Sequence, residues 1–491
     1  MNYLCIDVGT TCCKCQLFSE SGDILEYLSE EYGFLHMDGR NYIDTEKIQE
    51  HLGAMISAIS QKHDVSSVCI SSLGESFVLL EKDDGLLFPP MLYTDERGEV
   101  EAQEISNAVG KENAFKNSGV LPHSMYSISK LLWIKKHHGE LYAKADKLLL
   151  VGEYIGYLLT GKRVIDYSLA SRTGVFDIEK LEFSKDMLNA LDVPYSLFST
   201  PMRAGTVVGN IKKDVADRLG LKRDAVLILG SHDQICTSLG AGLLSAGDAV
   251  DGMGTVECIT TLFSQKTDNI TMGNQGYPCV PYAVEGLYCT YILNYSCGST
   301  VNWFRKKIMH GYSGGEENNF FEYIEKEMPD TPTELLLLPY FGGASTPYQD
   351  ISAKGAILGL TTETTDAELY KSIMEGTAME MRLNAEVVKD YGIEISNLVA
   401  TGGGANSTKW LQIKADIQNL PIKVLRSSEG GLCGCAMLSA LGMKKVSNLS
   451  EAKQIFVKYT KEFLPTRTGH SDYEPKYQKY KKLYQTVKEI N

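Results

Sequence analysis

Positive charge is scarce in this chain. Its 48 lysines and arginines stand against 62 aspartates and glutamates, a formal net charge of −14 over 491 residues. A general nucleic-acid surface needs cations to neutralise phosphates, so nucleic acid is excluded as a partner. The acidic balance otherwise bears on solubility rather than fold. Long hydrophobic runs are missing too. The apolar stretch over 148–159 is broken by Glu153 and falls short of the roughly 20 residues a membrane helix needs. Asp7 interrupts the N-terminal apolar run before it could serve as a secretory signal. Two familiar nucleotide motifs are also absent: no Gly-x-x-x-x-Gly-Lys-Ser/Thr loop, and no Gly-x-Gly-x-x-Gly opening a helix. Although there are 12 cysteines, Cys12/Cys13/Cys15 and Cys433/Cys435 have neither a second pair nor a histidine at ligand spacing. They read as reduced thiols, mostly small core hydrophobes, in a cytoplasmic protein.

What remains is ordinary in bulk and informative in order. A 43% hydrophobic, 22% charged chain of this length can bury the cores of two or three domains. Residues 3–8 and 14–18 are strand-like runs separated by Gly9-Thr10-Thr11, and a third strand-like run follows Ser21-Gly22-Asp23, predicting a β-meander. A helix is expected over 45–61 and a strand over 68–71. Residues 96–162 read as helices outside the sheet, clearest over 130–138 and 153–159. The pattern then restarts. A strand over 225–230 leads to a small-residue helix over 236–244, then to Asp251-Gly-Met-Gly254-Thr255 and a strand over 256–263. Asp7-Val-Gly9-Thr10 and Asp251…Gly254-Thr255 hold the same place between apolar runs, a weak repeat of half the chain. Further on come a strand over 335–339, a helix over 366–390 and a strand over 398–400. That strand runs into Gly402-Gly403-Gly404, with a helix from about 406. Tyr473, Tyr477, Tyr480 and Tyr484 make one stripe of a terminal helix. Its interleaved lysines suggest a basic-aromatic patch, but docking on the domain is the preferred reading.

Glycine turns after strands expose backbone amides and permit close approach, so Gly9, Gly254 and Gly402–Gly404 are candidate phosphate or nucleotide cradles. Thr10, Thr11 and Thr255 add hydroxyls, and Lys14 adds a charge. Asp7 could hold a water-bound Mg²⁺. Asp233, in Ser231-His232-Asp233-Gln234 at a strand end, is either a helix N-cap or a general base for a substrate hydroxyl, with Gln234 and His232 orienting the substrate.

These segments resemble, in order, the motifs of the FGGY carbohydrate kinases. The N-terminal turn from Asp7 to Lys14 is similar to their first phosphate motif, and Tyr93-Thr-Asp95-Glu-Arg97 to their Trp-x-Asp-x-Arg segment. Ser129 to Trp133 and Asp166 to Asp177 also resemble family stretches. Gly230-Ser-His-Asp233-Gln matches the place of the catalytic aspartate, and Asp251 to Thr255 the second phosphate motif. Gly343 to Gly359 resembles the late signature, Thr401 to Ser407 the adenosine motif, and Glu429 to Leu438 the segment after it.

The resemblance implies an α/β protein of two ribonuclease H-like (actin-like ATPase) domains with a cleft between them. Residues 1–241 would carry substrate and catalytic base. Residues 242–491 would bind ATP and end in a helix over 473–490. It implies an ATP- and Mg²⁺-dependent kinase acting on a ketose or polyol of the xylulose, fuculose or rhamnulose kind. Asp233 is the expected base, and Glu75, Asp95, Tyr126, His232 and Gln234 are the expected hydroxyl ligands. Gly9, Thr10, Thr11, Lys14, Gly254 and Thr255 would hold phosphates, with Gly402, Gly403, Gly404 and Asn406 on the adenosine and Asp7 at the metal. The Arg-Glu pair of glycerol kinases reads Gly74-Glu75 here, and the Met-His of xylulokinases is missing. The expected partner is a small sugar or polyol, with neither nucleic acid nor membrane; a homodimer stays open. The alternative is a non-catalytic sugar- and ATP-binding sensor on the same fold.

Overall fold

The computed structural model describes residues 1–309 and 317–490. The expected meander is β1 (Asn2–Val8), β2 (Cys12–Ser19) and β3 (Ile24–Glu31), paired antiparallel. Helix α1 (Thr45–Ser60) follows. Asp44 caps it by accepting from the Lys47 N–H at 3.0 Å, and its buried face is Ile48, Leu52, Met55, Ile56 and Ile59. The chain then enters β4 (Ser67–Ser72), parallel to β1. Later strands β5 (Val207–Asn210) and β6 (Val226–Ile228) complete a six-stranded sheet in the order β5-β6-β4-β1-β2-β3.

The second sheet repeats this plan. It contains β7 (Asp248–Met253), β8 (Glu257–Phe263), β9 (Val280–Pro281), β10 (Tyr288–Asn294), β11 (Asn397–Thr401), β12 (Ile422–Leu425) and β13 (Tyr459–Phe463), ordered β9-β10-β8-β7-β11-β12-β13. In both sheets a three-stranded antiparallel meander starts from the strand that also pairs parallel with a later one. A second parallel strand and an antiparallel edge strand then follow. The weak repeat of the sequence is thus a duplicated topology, the ribonuclease H-like pair the resemblance implies.

The two halves meet where α2 (Asp233–Gly240) crosses α5 (Gly430–Gly442). Between them in sequence lie α3 (Asp366–Lys389) and α4 (Thr408–Gln418). The crossing depends on missing side chains: a Cβ on Gly434 would fall 2.0 Å from the Cys236 carbonyl oxygen. The backbones therefore approach as only glycine permits.

Some expectations need correction. Residues 96–162 are not all helical, because Lys147–Leu150 forms a strand pairing with Phe77–Leu80 in a small sheet. The small-residue helix begins at Asp233 rather than 236 and ends at Gly240. The terminal helix begins before 473 and does not run unbroken to 490. It is α6 (Arg467–Tyr480) followed by α7 (Leu483–Lys488). The four tyrosines explain the break. Tyr473 and Tyr480 donate hydrogen bonds to Glu375 and Glu380 of α3, whereas Tyr484 stacks on Tyr348 with centroids 3.9 Å apart and bonds Asp350. All four rings are buried, so the stripe docks on the domain. Cys12 and Cys15 share β2 but face opposite sides of it, Cys15 entering the core, so the pair cannot chelate.

Candidate active site

Asp233 is the first residue of α2, in the short connection that follows β6, and α2 is the helix that packs on α5 of the other half. Its side chain keeps 36% exposure into the cleft, and Oδ1 stands 3.2 Å from His232 Nε2. Burial by the cleft walls raises its pKa to about 7, with Asp7 and Glu75 pushing the same way; the Gln234 N–H and Arg172 oppose. A carboxyl poised there can hold a proton near neutral pH, as a general base requires. His232 is buried, and burial beside Arg172 holds its pKa well below the ordinary histidine value, so its ring is neutral. Behind it, Asp166 Oδ2 accepts from the hydroxyls of Ser168 (2.8 Å) and Ser231 (2.9 Å), and Ser168 Oγ accepts from the His232 N–H at 3.2 Å. This network fixes the segment that carries Asp233.

Glu75 lies within electrostatic reach of Asp233. Its backbone sits at φ 57°, an uncommon value for a side-chain-bearing residue. Ser127 Oγ donates to its carbonyl at 2.6 Å. Arg172, absent from the sequence-based site, donates to Glu75 Oε1 from Nε at 2.6 Å and again from Nη2. The Arg172 guanidinium lies 5.1 Å from the centre of the Tyr126 ring, which places Tyr126 in the same wall. The Tyr93 hydroxyl is within electrostatic reach of Glu75, Asp233 and Tyr295. Gln234, half-buried, adjoins Asp233 on α2. Asp95 is different: Arg97 donates to both its carboxylate oxygens, and Lys130 Nζ donates to its backbone carbonyl at 2.6 Å.

The β1–β2 turn carries Gly9, Thr10 and Thr11. It is tightened by the Gly9 N–H donating to the Cys12 carbonyl at 2.9 Å and by the Tyr32 hydroxyl bonding the Gly9 carbonyl. Asp7 ends β1 beside it. Ser71 of β4 donates to Asp7 Oδ1 at 2.9 Å, leaving Oδ2 without a donor, and burial raises this carboxyl above its usual range. Helix α5 begins beside it, since a Cβ on Gly431 would lie 3.8 Å from Asp7 Oδ1. Lys14 does not stand free above the turn. Its Nζ is 2.8 Å from Glu429 Oε2, an ion pair joining the two halves of the chain.

The β7–β8 turn presents Gly254 and Thr255 at the surface, while the N–H groups of Gly298 and Ser299 donate to their carbonyls at 2.9 and 3.0 Å. Next to it opens a cavity of about 550 Å³ lined by Gly254, Thr255, Gly403, Gly404 and Asn406, with Tyr370 and Trp410 as aromatic walls. That volume suits a nucleotide. Gly402 is not in the wall but makes it: at φ 88° it turns the loop, and a Cβ there would fall 2.8 Å from the Met253 carbonyl oxygen. A Cβ on Gly403 would meet nothing within 4 Å, so this glycine leaves its side of the cavity open. The glycines do not lead straight into a helix as expected. A 3₁₀ turn, Gly403–Asn406, intervenes, and Ser407 caps α4 by accepting from the Trp410 N–H at 3.1 Å.

Sequence reasoning missed Arg172, Tyr93, Ser71, Glu429, Tyr370 and Trp410. Arg172, Tyr93 and Glu429 do fall within motif segments, which was the available signal. Among the described residues no group of three or more His, Cys, Asp or Glu could cage a metal, and no helix is long and apolar enough to cross a membrane.

Two lobes of duplicated topology, with a carboxyl at the start of α2 and a nucleotide-sized cavity beside the β7–β8 turn, are an arrangement compatible with a small-molecule phosphotransferase. Residues 2–240 match the N-terminal domain and residues 253–443 the C-terminal domain of the FGGY family of carbohydrate kinases. The chain belongs to that family. It is 25% identical to a xylulose kinase of Staphylococcus epidermidis over 99% of this chain and 97% of the relative. It is 26% identical to an L-fuculokinase of Escherichia coli K12 over 82% and 83%. A crystal structure of gluconate kinase from Lactobacillus acidophilus superposes with a TM-score of 0.90 at 25% identity, covering 99% of this chain and 98% of that one. The fold is that of the actin-like ATPases, and the chain is an ATP-dependent carbohydrate kinase, a phosphotransferase with an alcohol group as acceptor. The sensor alternative finds no support in these relatives.

Proposed function

We propose that the protein transfers the γ-phosphate of ATP to a hydroxyl of a ketose or polyol of the xylulose or fuculose kind, with Asp233 as the base. The observation that carries this reading is the position of Asp233, a partly exposed carboxyl raised to about 7 at the start of α2, with Oδ1 3.2 Å from the Nε2 of a neutral histidine. Residues 1–241 supply acceptor site and base, and residues 242–491 the nucleotide site. Glu75, Tyr126, His232 and Gln234 orient the acceptor. Asp95 contributes less directly, by fixing Arg97. Asp233 takes the proton as the acceptor oxygen attacks phosphorus in line. Thr10, Thr11 and the turn amides at Gly9 and Gly254–Thr255 bind phosphate oxygens, while Gly403, Gly404 and Asn406 border the adenosine on the loop that Gly402 turns. Lys14 joins them on exchanging Glu429 for phosphate. Phosphoryl transfer asks mainly for positioning and charge stabilisation, which this set provides.

Asp7 fits Mg²⁺: one carboxylate with a free oxygen beside the phosphate turn matches an ion held by one or two carboxylates, water and phosphate. When bound, Mg²⁺ supplies charge neutralisation at the phosphates. All twelve cysteines are free, which suits a reducing cytoplasm.

The test is ADP release from Mg-ATP across ketoses, deoxyketoses, polyols and aldonic acids. One strongly preferred uncharged sugar is the expected result; sugar-independent ADP release with every candidate would contradict the reading.

A further inference from the structure

We infer that Glu325 is a specificity-determining residue of the nucleotide cavity, where its carboxylate accepts the exocyclic amine of adenine and discriminates against 6-oxopurine nucleotides. The inference rests on the nucleotide site just proposed. Glu325 lies on the helix Glu317–Glu327, outside every segment by which the sequence resembles its family. Its side chain nevertheless lines the cavity. The residues around that cavity fall into two groups. Gly254 and Thr255 belong to the β7–β8 turn, and Gly298 closes on them by donating its N–H to the Gly254 carbonyl at 2.9 Å. That side takes the phosphates in the proposed reading. The second group is Asn406, Ser407, Trp410, Tyr370 and Glu325. Tyr370 and Trp410 give it aromatic faces for a planar base.

The Ser407 hydroxyl hydrogen-bonds the Glu325 carboxyl, which ties this group to the loop of Asn406. A carboxylate has about four acceptor positions, so one hydroxyl leaves most of them open. Burial raises the pKa of this carboxyl, while the Ser407 bond and the Lys409 charge favour its ionised form. Lys409 itself makes its ion pair with Asp330, at 3.5 Å. The same wall holds an unused donor: Trp410 Nε1 is buried and has no hydrogen-bond partner among the described residues. Adenine presents an amine donor at position 6 beside a ring-nitrogen acceptor, whereas guanine and hypoxanthine present an oxygen there. Glu325 can accept from the amine, with the Trp410 N–H or the Asn406 amide donating to a ring nitrogen. A 6-oxo base would instead set acceptor against acceptor in a buried site, which is costly.

The test is calorimetric binding of ADP, IDP and purine riboside diphosphate, each with Mg²⁺, to the full chain. Purine riboside diphosphate lacks only the amine, and IDP carries oxygen in its place. The wild type should bind ADP at least about tenfold more tightly than either, the worth of a hydrogen bond to a charged group. Glu325→Ala should weaken ADP about tenfold and leave purine riboside diphosphate within about twofold of its wild-type affinity. Glu325→Gln, whose amide can turn an N–H towards the 6-oxo oxygen, should bring IDP to within about threefold of ADP. A merely structural Glu325 would weaken all three nucleotides alike in both variants, which would overturn the inference. Wild-type affinity for IDP or purine riboside diphosphate equal to that for ADP would overturn it too, and would leave the kinase reading standing. Binding of none of the three would overturn the nucleotide site together with the inference.

Discussion

The β1–β2 and β7–β8 hairpins occupy equivalent places in the two lobes, and each carries an aspartate before a glycine-threonine turn. Their aspartates have different surroundings. Asp7 is half-buried at the lobe junction, with one oxygen held by Ser71 and the other without a donor. Asp251 is fully buried and forms an ion pair with Lys414 of α4, which also pairs with the buried Glu257. Burial pushes Glu257 up despite the pull of Lys414. The first carboxylate is available to a cation, and the second is a structural anchor under its turn. Equivalent topology and a similar local sequence therefore do not imply equivalent chemistry; the neighbour supplied from elsewhere in the fold decides.

The largest effect should come from breaking the anchor. Lys414→Met leaves two buried carboxylates uncompensated and should cost about 3–5 kcal/mol of stability, read by denaturant unfolding. A loss below about 1 kcal/mol would show that the cluster is not an anchor. Asp7→Asn should do the reverse, lowering Mg-dependent turnover at least about 100-fold with an almost unchanged melting temperature. Equal damage to stability and turnover would make the two hairpins alike after all.

The smallest effect concerns pH. As the proposed base, Asp233 must be deprotonated to act, and its pKa is raised to about 7, so kcat/KM should fall as pH drops through about 7. Asp7 contributes to that rise, so Asp7→Asn should move the acid limb of its residual activity downward. Asp251→Asn should leave the limb in place, because Asp251 is buried against Lys414. An identical shift in both variants would sink the distinction.

Much of this plan was legible in the sequence. Strand–turn–strand periodicity and glycine punctuation are local signals, so both hairpins, α1 and the β11 strand with its glycine loop could be placed from neighbouring residues. The position of Asp233 between a strand and a small-residue helix was legible because that is also a local pattern. The rest depends on distant partners. Arg172 and Glu75 are 97 residues apart, and Lys14 and Glu429 are 415 apart. No local spacing encodes either pair. Gly74 read as a lost ligand because its own side chain is absent, although the fold fills that space from another segment. The break after Tyr480 was invisible for a similar reason: the tyrosine stripe is continuous in sequence, but its last member has a different docking partner.

The most direct test of the central claim is sugar-dependent ADP release by Asp233→Asn, measured beside its affinity for ATP. The account predicts a loss of about 10²- to 10⁴-fold in phosphorylation, with nucleotide binding retained. Near-normal turnover in that variant would contradict it and remove Asp233 from the role of base.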